Sequence, residues 1–201
     1  MNTRSDSARN REALIAAART VFEMNGIDAP LENVAAAAGL SRTSLHRHFA
    51  SRAELIAAIW AADVAETEAD VARFGGRPDA FIAVFDRTLL QQVDRRSIHP
   101  TTAQIESADI VALAARFVAA IQTAVATSRA AGVLRADVTD TAGVRAVGMA
   151  IYGVWNVLDR ADRFEVFSEV RGVLLRGLLD AQWLADHPDV IEISARGARR
   201  V

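Results

Sequence analysis

Residues 31–54 read LENVAAAAGLSRTSLHRHFASRAE, and this stretch decides the fold of the N-terminal part of the chain. Gly39 tolerates the positive φ of a tight turn, and Ser41 is a residue that caps the start of a helix. Ala35, four residues before Gly39, is small enough for two short helices to cross closely. The spacing therefore predicts a helix-turn-helix over residues 31–50.

Helix signals continue on both sides of this motif. Ser51 and Glu54 form an S-x-x-E capping box, which predicts the start of a helix that runs to about Phe74. Apolar residues recur at helical spacing over residues 9–24, and the glycine at position 26 is typical of a helix end. Four helix starts and ends thus fit within about seventy residues.

The remainder of the chain also has helical periodicity, and we predict an all-α protein of about nine helices. The later helices are predicted over residues 79–95, from Thr101, and over 110–131, 141–158 and 162–185. The last two are apolar almost all round and contain regularly spaced glycines at positions 143, 148, 153, 172 and 177. A helix without a polar face needs partners on both sides, so a homodimer through these two helices is expected.

Composition limits the function classes. The 201-residue chain is 51% hydrophobic and has no Cys, which excludes disulfides and thiolate chemistry. Its net charge is −2, but residues 1–52 carry seven Arg and five acidic residues, so the N-terminal part is basic. Arg116 and Arg145 interrupt the most apolar later stretches, and the N-terminus lacks the apolar core of a signal peptide. We expect a cytoplasmic protein without a membrane partner.

The two histidines in LHRHFAS raise the possibility of a metal site. Successive helical residues are about 100° apart, which separates His46 from His48 by about 200°. Two ligands on one helix converge at i, i+3 or i, i+4 spacing, so this pair is a poor chelator and no metal is expected. The same geometry turns Arg42, Thr43 and Arg47 away from the buried side. Arg, Thr and His on an exposed helix suit base edges and phosphates in a DNA major groove.

The residues ALIAAARTVFEMNGIDAPLENVAAAAGLSRTSLHRHFASRAELIAAI, at 13–59, resemble the tetracycline-repressor (TetR) family of bacterial transcription regulators. The resemblance implies a DNA-binding domain at 8–54 and a ligand-binding and dimerisation domain at 55–190. Residues 191–201 have no helical periodicity, so a loose tail is expected there. It also implies a repressor that binds a palindromic operator as a dimer and is released by a small, largely apolar effector. The DNA-contacting candidates are Arg42, Thr43, Ser44, His46, Arg47, His48 and Arg52.

Within that set the resemblance assigns different roles and shows two departures. Arg42, Thr43 and Arg47 are candidates to read bases, and Arg52 stands where the family usually has a phosphate-contacting lysine. His46 stands where the family commonly has Tyr, which would make DNA binding depend on pH if the imidazole pairs with phosphate. Glu32 and Asn33 precede the turn where some members place donors, so this helix either contributes little attraction or accepts from a cytosine amine.

Aromatic and polar residues interleave in the middle helices, as in an apolar ligand cavity with a few polar groups. For any one of these residues, a place in the core is the alternative. A second class of function is a DNA-binding regulator without a small-molecule ligand, controlled by a protein partner or by its concentration. Catalytic motifs and cofactor-binding loops are absent from the sequence, so neither enzyme activity nor a cofactor is expected. The ligand-binding candidates are Phe85, Leu89, His99, Phe117, Ile121, Met149, Tyr152, Trp155 and Asn156.

Overall fold

A computed structural model describes residues 3–94, 108–157 and 159–192 of the chain. The described residues contain nine α-helices and no β-strand, which confirms the all-α prediction. The bounds are α1 Thr3–Asn25, α2 Leu31–Ala37, α3 Arg42–His48, α4 Arg52–Phe74, α5 Ala80–Asp94, α6 Ala108–Ala130, α7 Asp140–Trp155, α8 Arg160–Leu178 and α9 Ala181–Asp186. A short 3-10 helix follows at Pro188–Val190.

The helices belong to two compact units. In the described chain, the first unit comprises residues 3–63 with 108–113, and the second comprises residues 64–94 with the residues from 114 onward. The division falls within α4 and within α6. The predicted domain bounds at 54/55 and 190/191 remain a prediction.

The helix starts of the first unit follow the capping signals in the sequence. Ser41 Oγ accepts a hydrogen bond from the Ser44 N–H at 3.1 Å, and Ser51 Oγ accepts one from the Glu54 N–H at 3.1 Å. Glu54 Oε2 accepts in return from the N–H of Ala50 at 2.7 Å, one residue before the cap. These bonds satisfy backbone donors that a helix start leaves free.

The turn between α2 and α3 has the backbone that its glycine predicts. Gly39 has a φ of +67°, a conformation that glycine adopts without steric cost. The N–H of the following residue, Leu40, donates to the Ala35 carbonyl at 2.9 Å and closes the end of α2. Ala35 itself is buried in the core of the first unit.

The second unit is built around α5, whose residues are nearly all buried. Two charged residues form an ion pair in the interior of this unit. Arg171 Nε and Nη2 donate to the two carboxylate oxygens of Asp86 at 2.6 and 2.9 Å. Burial raises the pKa of the Asp86 carboxyl, and the hydrogen bonds and charge of Arg171 oppose that shift. Arg171 also donates to the carbonyls of Val190 and Ile191, so this pair joins α5, α8 and the segment after α9.

Two helix predictions differ from the structure by more than three residues. Helix α1 begins at Thr3 instead of position 9. The prediction of one helix over 162–185 is wrong, because the helix is interrupted between α8 and α9. The Arg135 N–H donates to the Leu178 carbonyl and the Asp180 N–H donates to the Val133 carbonyl, at 3.0 and 2.9 Å. These bonds to a distant turn end α8, and the Asp180 carboxylate then caps α9.

The predicted short helix from Thr101 lies outside the described residues. Arg116 was expected to interrupt its apolar stretch before the stretch reached the length of a membrane span. Helix α6 is nevertheless long and apolar enough to cross a membrane, by length and composition. Its most apolar window has a mean hydropathy of 1.7. A core helix of a soluble protein meets the same criterion, and Arg116 pairs with Glu68 of α4 at 2.6 Å within the second unit.

Candidate nucleic-acid interface

Helix α3 is held in the first unit by two of its apolar residues. Leu45 and Phe49 are fully buried in the core of that unit, as their spacing of four residues predicts. The guanidinium of Arg11 lies 5.0 Å from the centre of the Phe49 ring. Burial of this side fixes which residues of α3 face solvent.

The opposite side of α3 is an exposed polar face. Arg42, Thr43, His46 and Arg47 are exposed, and Ser44 is half-buried. Arg47 Nη2 lies 3.4 Å from Ser44 Oγ, at hydrogen-bonding distance. The structure therefore places five of the seven predicted DNA-contacting residues side by side on a short helix of the size that enters a major groove.

Arg42 makes contacts with both α2 and its own helix. Its Nη1 lies 2.8 Å from Glu32 Oε1, and its Nε donates to His46 Nε2 at 3.4 Å. His46 Nε2 must be unprotonated to accept this bond. Glu32 thus compensates one of the positive charges on the exposed face, and DNA would compete with Glu32 for the Arg42 guanidinium.

The remaining two candidates lie differently. His48 is half-buried, and its Nε2 is buried without a hydrogen-bond partner among the described residues. Arg52 donates through Nη1 to the Ile27 carbonyl, and its guanidinium lies 5.5 Å from the centre of the Phe22 ring. Arg52 therefore joins α4 to the turn after α1. Contact of either side chain with DNA remains a prediction.

Metal coordination has no support in the part of the chain that the structure describes. No group of three or more His, Cys, Asp or Glu side chains is placed to hold an ion in the described ranges. His46 is exposed and His48 is half-buried, consistent with their different directions around α3.

The predicted ligand-binding residues do not converge on one described cavity. Phe85, Leu89 and Ile121 are fully buried in the apolar core of the second unit, and Phe117 packs against that core. The α7 residues lie on or near the surface. Met149 and Tyr152 are exposed, Trp155 is half-buried with its ring 6.2 Å from that of Tyr152, and Asn156 donates to the Tyr152 carbonyl. His99 lies outside the described residues.

An open cleft of about 570 Å³ lies elsewhere in the second unit, and none of the predicted ligand residues lines it. The rings of Trp183 and His187 stack at 4.2 Å on one side of this cleft. The Asp79 carboxylate in its lining is paired with Arg77 at 2.6 Å, which raises the pKa of the Arg77 guanidinium.

Sequence reasoning missed a set of buried polar residues in α4 and α5. Thr67, Thr88 and Gln91 are all buried in the second unit. A signal was present, since the apolar run at residues 80–85 is followed in the same helix by polar residues at 86, 87, 88, 91 and 92.

A model of a known protein family matches part of the first unit. The model of bacterial regulatory proteins of the tetR family matches residues 14–59, which include α2, α3 and the start of α4. No curated protein sequence matches the chain.

Solved structures with a similar fold cover almost the whole chain. TylP, a TetR regulator from Streptomyces fradiae, is 17% identical, covers 96% of each chain and superposes with a TM-score of 0.70. A gamma-butyrolactone receptor described as ArpA-like is 15% identical over 98% of this chain and 100% of its own, with a TM-score of 0.65. SmeT, the repressor of the Stenotrophomonas maltophilia multidrug efflux pump SmeDEF, is 17% identical over 93% and 95%, with a TM-score of 0.58. Residues 14–59 thus match the model of bacterial regulatory proteins of the tetR family, and the chain has the all-α fold of solved TetR regulators.

Proposed function

We propose that this protein is a transcriptional regulator that binds double-stranded DNA at a palindromic operator as a homodimer. The observation that carries the proposal is the exposed face of α3, where Arg42, Thr43, His46 and Arg47 project from a helix anchored by buried apolar residues. Arg42 and Arg47 supply base recognition, and His46 and Arg52 supply contacts to phosphate.

A dimer is supported by exposed apolar side chains on α7 and α8, which lie among exposed charged residues such as Arg145, Glu169 and Arg176. Met149, Tyr152 and Val173 are 59%, 66% and 70% exposed, although side chains of this size are usually buried. Gly148 and Gly177 have open space beside them, so another backbone can approach closely there. Two copies related by a two-fold axis would bury this surface and carry two recognition helices about 34 Å apart, the spacing of successive major grooves.

Control by a small, largely apolar effector is the second part of the proposal. It is supported by similarity of fold to a protein described as a gamma-butyrolactone receptor. Similarity of fold to SmeT, described as the repressor of an efflux pump, supports repression. Binding of the effector would favour a dimer conformation with the wrong spacing of recognition helices and release DNA. The protein would then act as a cytoplasmic repressor.

One observation favours the alternative of a regulator without a ligand. Phe85, Leu89 and Ile121, expected beside a cavity, are packed in the core. Under this alternative a protein partner or the protein concentration sets DNA occupancy. The buried polar residues of α5 favour an effector.

The DNA-binding proposal is tested by selecting fragments from the source genome with the purified protein. We expect an enriched palindrome whose half-sites are one helical turn apart. Arg47→Ala should lose the enrichment, whereas Arg73→Ala, an exposed arginine near the end of α4, should keep it. Absence of any enriched sequence with the unaltered protein would overturn the proposal.

A further inference from the structure

Thr88 and Gln91 of α5 are buried polar side chains, and each has an atom without a hydrogen-bond partner among the described residues. Thr88 is 3% exposed and Gln91 is 8% exposed. Thr88 Oγ1 and Gln91 Nε2 make no hydrogen bond to any residue that the structure describes. Buried polar atoms in native proteins are nearly always paired, so unpaired ones call for a functional explanation.

The two side chains lie on the same side of α5. At 100° per residue, Thr88 and Gln91 are separated by about 60° around the helix axis. Asp86, which pairs with Arg171 of α8, is about 160° from Thr88 and about 140° from Gln91. The unpaired atoms therefore point away from the side of α5 that is bonded to α8.

Other polar groups near this side of the helix are balanced in charge. Arg87 Nε lies 3.5 Å from Asp70 Oδ2 of α4, one helical turn before Gln91. This ion pair balances the two charges, and neither Arg87 Nε nor Asp70 Oδ2 makes a hydrogen bond to a residue that the structure describes. The unpaired groups of Thr88 and Gln91 are a neutral hydroxyl and a neutral amide. A buried site with such groups favours an uncharged ligand, since an ion without an opposite charge is costly to bury.

We propose that Thr88 and Gln91 bind the carbonyl oxygen of a small, uncharged and largely apolar effector, such as an ester, lactone or ketone. Gln91 Nε2 can only donate, so its partner must be an acceptor, and the Thr88 hydroxyl can donate to the same oxygen. The apolar core around α5 would enclose the hydrocarbon part of the ligand. This inference rests on the proposed function, since it names the effector class of that regulator.

The first test is thermal unfolding of the ligand-free protein. Thr88→Val and Gln91→Met keep the shape and remove an unpaired polar atom, so each should raise the Tm by about 2–4 °C. Thr123→Val and Gln182→Met are matched controls at exposed positions of the same unit and should not raise it. If either α5 variant melts at or below the wild-type temperature, its side chain is satisfied within the fold and the proposal is wrong.

The second test measures binding of defined probes by titration calorimetry. Methyl octanoate, 2-nonanone and γ-nonalactone should bind the wild type more tightly than n-nonane or the octanoate anion. Gln91→Met should weaken binding of the three carbonyl probes about tenfold and leave that of n-nonane unchanged. Equal affinity for nonane and the carbonyl probes, or no saturable binding of the carbonyl probes, would overturn the proposal and leave water as the partner of these groups.

DNA binding separates failure of this inference from failure of the proposed function. The ligand-free Thr88→Val and Gln91→Met proteins should enrich the same palindrome as the wild type. Enrichment without carbonyl-dependent binding overturns the effector class alone, whereas absence of enrichment with the wild type overturns the regulator itself.

Discussion

Arg42 is the residue on which DNA recognition and local structure compete. In the free protein its guanidinium lies 2.8 Å from Glu32 and beside His46. An exposed ion pair contributes little to stability, so DNA can displace Glu32 at small cost. A forked contact to guanine O6 and N7 would then use two donors held in the fixed planar geometry of the guanidinium, which the flexible Lys ammonium lacks.

Replacement of Arg42 by Ala should weaken operator binding by about 1–3 kcal/mol and relax sequence preference at one position in each half-site. Arg42→Lys keeps the charge and should relax the preference with a smaller loss of affinity. Both effects are measured by titrating the protein onto the operator and onto single-base variants. Unchanged operator affinity in the alanine variant contradicts a base-reading role.

Glu32→Gln is the complementary substitution at the same contact. It removes the negative charge beside Arg42, so affinity for DNA of any sequence should rise by up to about 1 kcal/mol, and the rise should shrink as salt is added. Competition binding with a scrambled duplex at two salt concentrations measures this. If Glu32 instead accepts from a cytosine amine, operator binding falls and binding to the scrambled duplex does not.

His46 offers a pH response at the DNA surface. Its Nε2 accepts from Arg42 in the free protein, which requires the neutral ring, whereas donation from Nε2 to a phosphate requires a proton on that nitrogen. If the protonated ring pairs with phosphate, raising the pH from about 6 to about 8 should weaken binding, and His46→Tyr should remove most of this dependence. Fluorescence anisotropy with labelled operator measures both profiles, and a flat wild-type profile contradicts a cationic His46.

At the scale of the helix, boundaries set by nearby residues were predicted better than boundaries set by distant ones. Ser41, Ser51 and Gly39 act within four residues of their own positions, so their roles were visible in the sequence. The break after α8 was not visible, because it depends on backbone bonds between Asp180 and Val133, far apart in the chain. An aspartate in an amphipathic stretch does not reveal such a distant partner.

Close approach of α6 and α7 depends on one glycine. A Cβ at position 143 would overlap the Val125 side chain of α6, whereas the glycine leaves the two helices in contact. Gly143→Ala should therefore cost about 1–3 kcal/mol of unfolding free energy despite the better helix propensity of Ala. Urea unfolding measures the loss. Val125→Ala removes the clashing methyl groups but also costs stability, since Val125 is fully buried. The losses of the two single variants should therefore add to more than the loss of the double variant, and additive losses contradict a steric cause.

At the scale of the whole molecule, helices α7 and α8 each have a buried side and an exposed side. The sequence showed apolar residues all round, but it did not show which side packs within the chain. The structure buries Val147, Ile151 and Val154 in the second unit and exposes Met149 and Tyr152. The last two were expected to bind ligand, and their exposure is better suited to contact with another copy of the chain. Which side of α7 and α8 is buried depends on how they pack against α5. The sequence of one helix does not contain that information.

Val173 of α8 tests whether this exposed side is the contact between copies. A two-fold axis repeats each substitution, so Val173→Glu places two carboxylates in one apolar interface. We expect dimerisation to weaken by about 2–4 kcal/mol, or roughly 30- to 1,000-fold in Kd, measured by sedimentation velocity over a range of concentrations. Val111→Glu in α6 changes another exposed valine and should leave the dimer intact. The reverse pattern would move the interface to α6. If α8 forms the interface, operator affinity in Val173→Glu should fall with dimer content, because a single recognition helix reads only half of a palindrome.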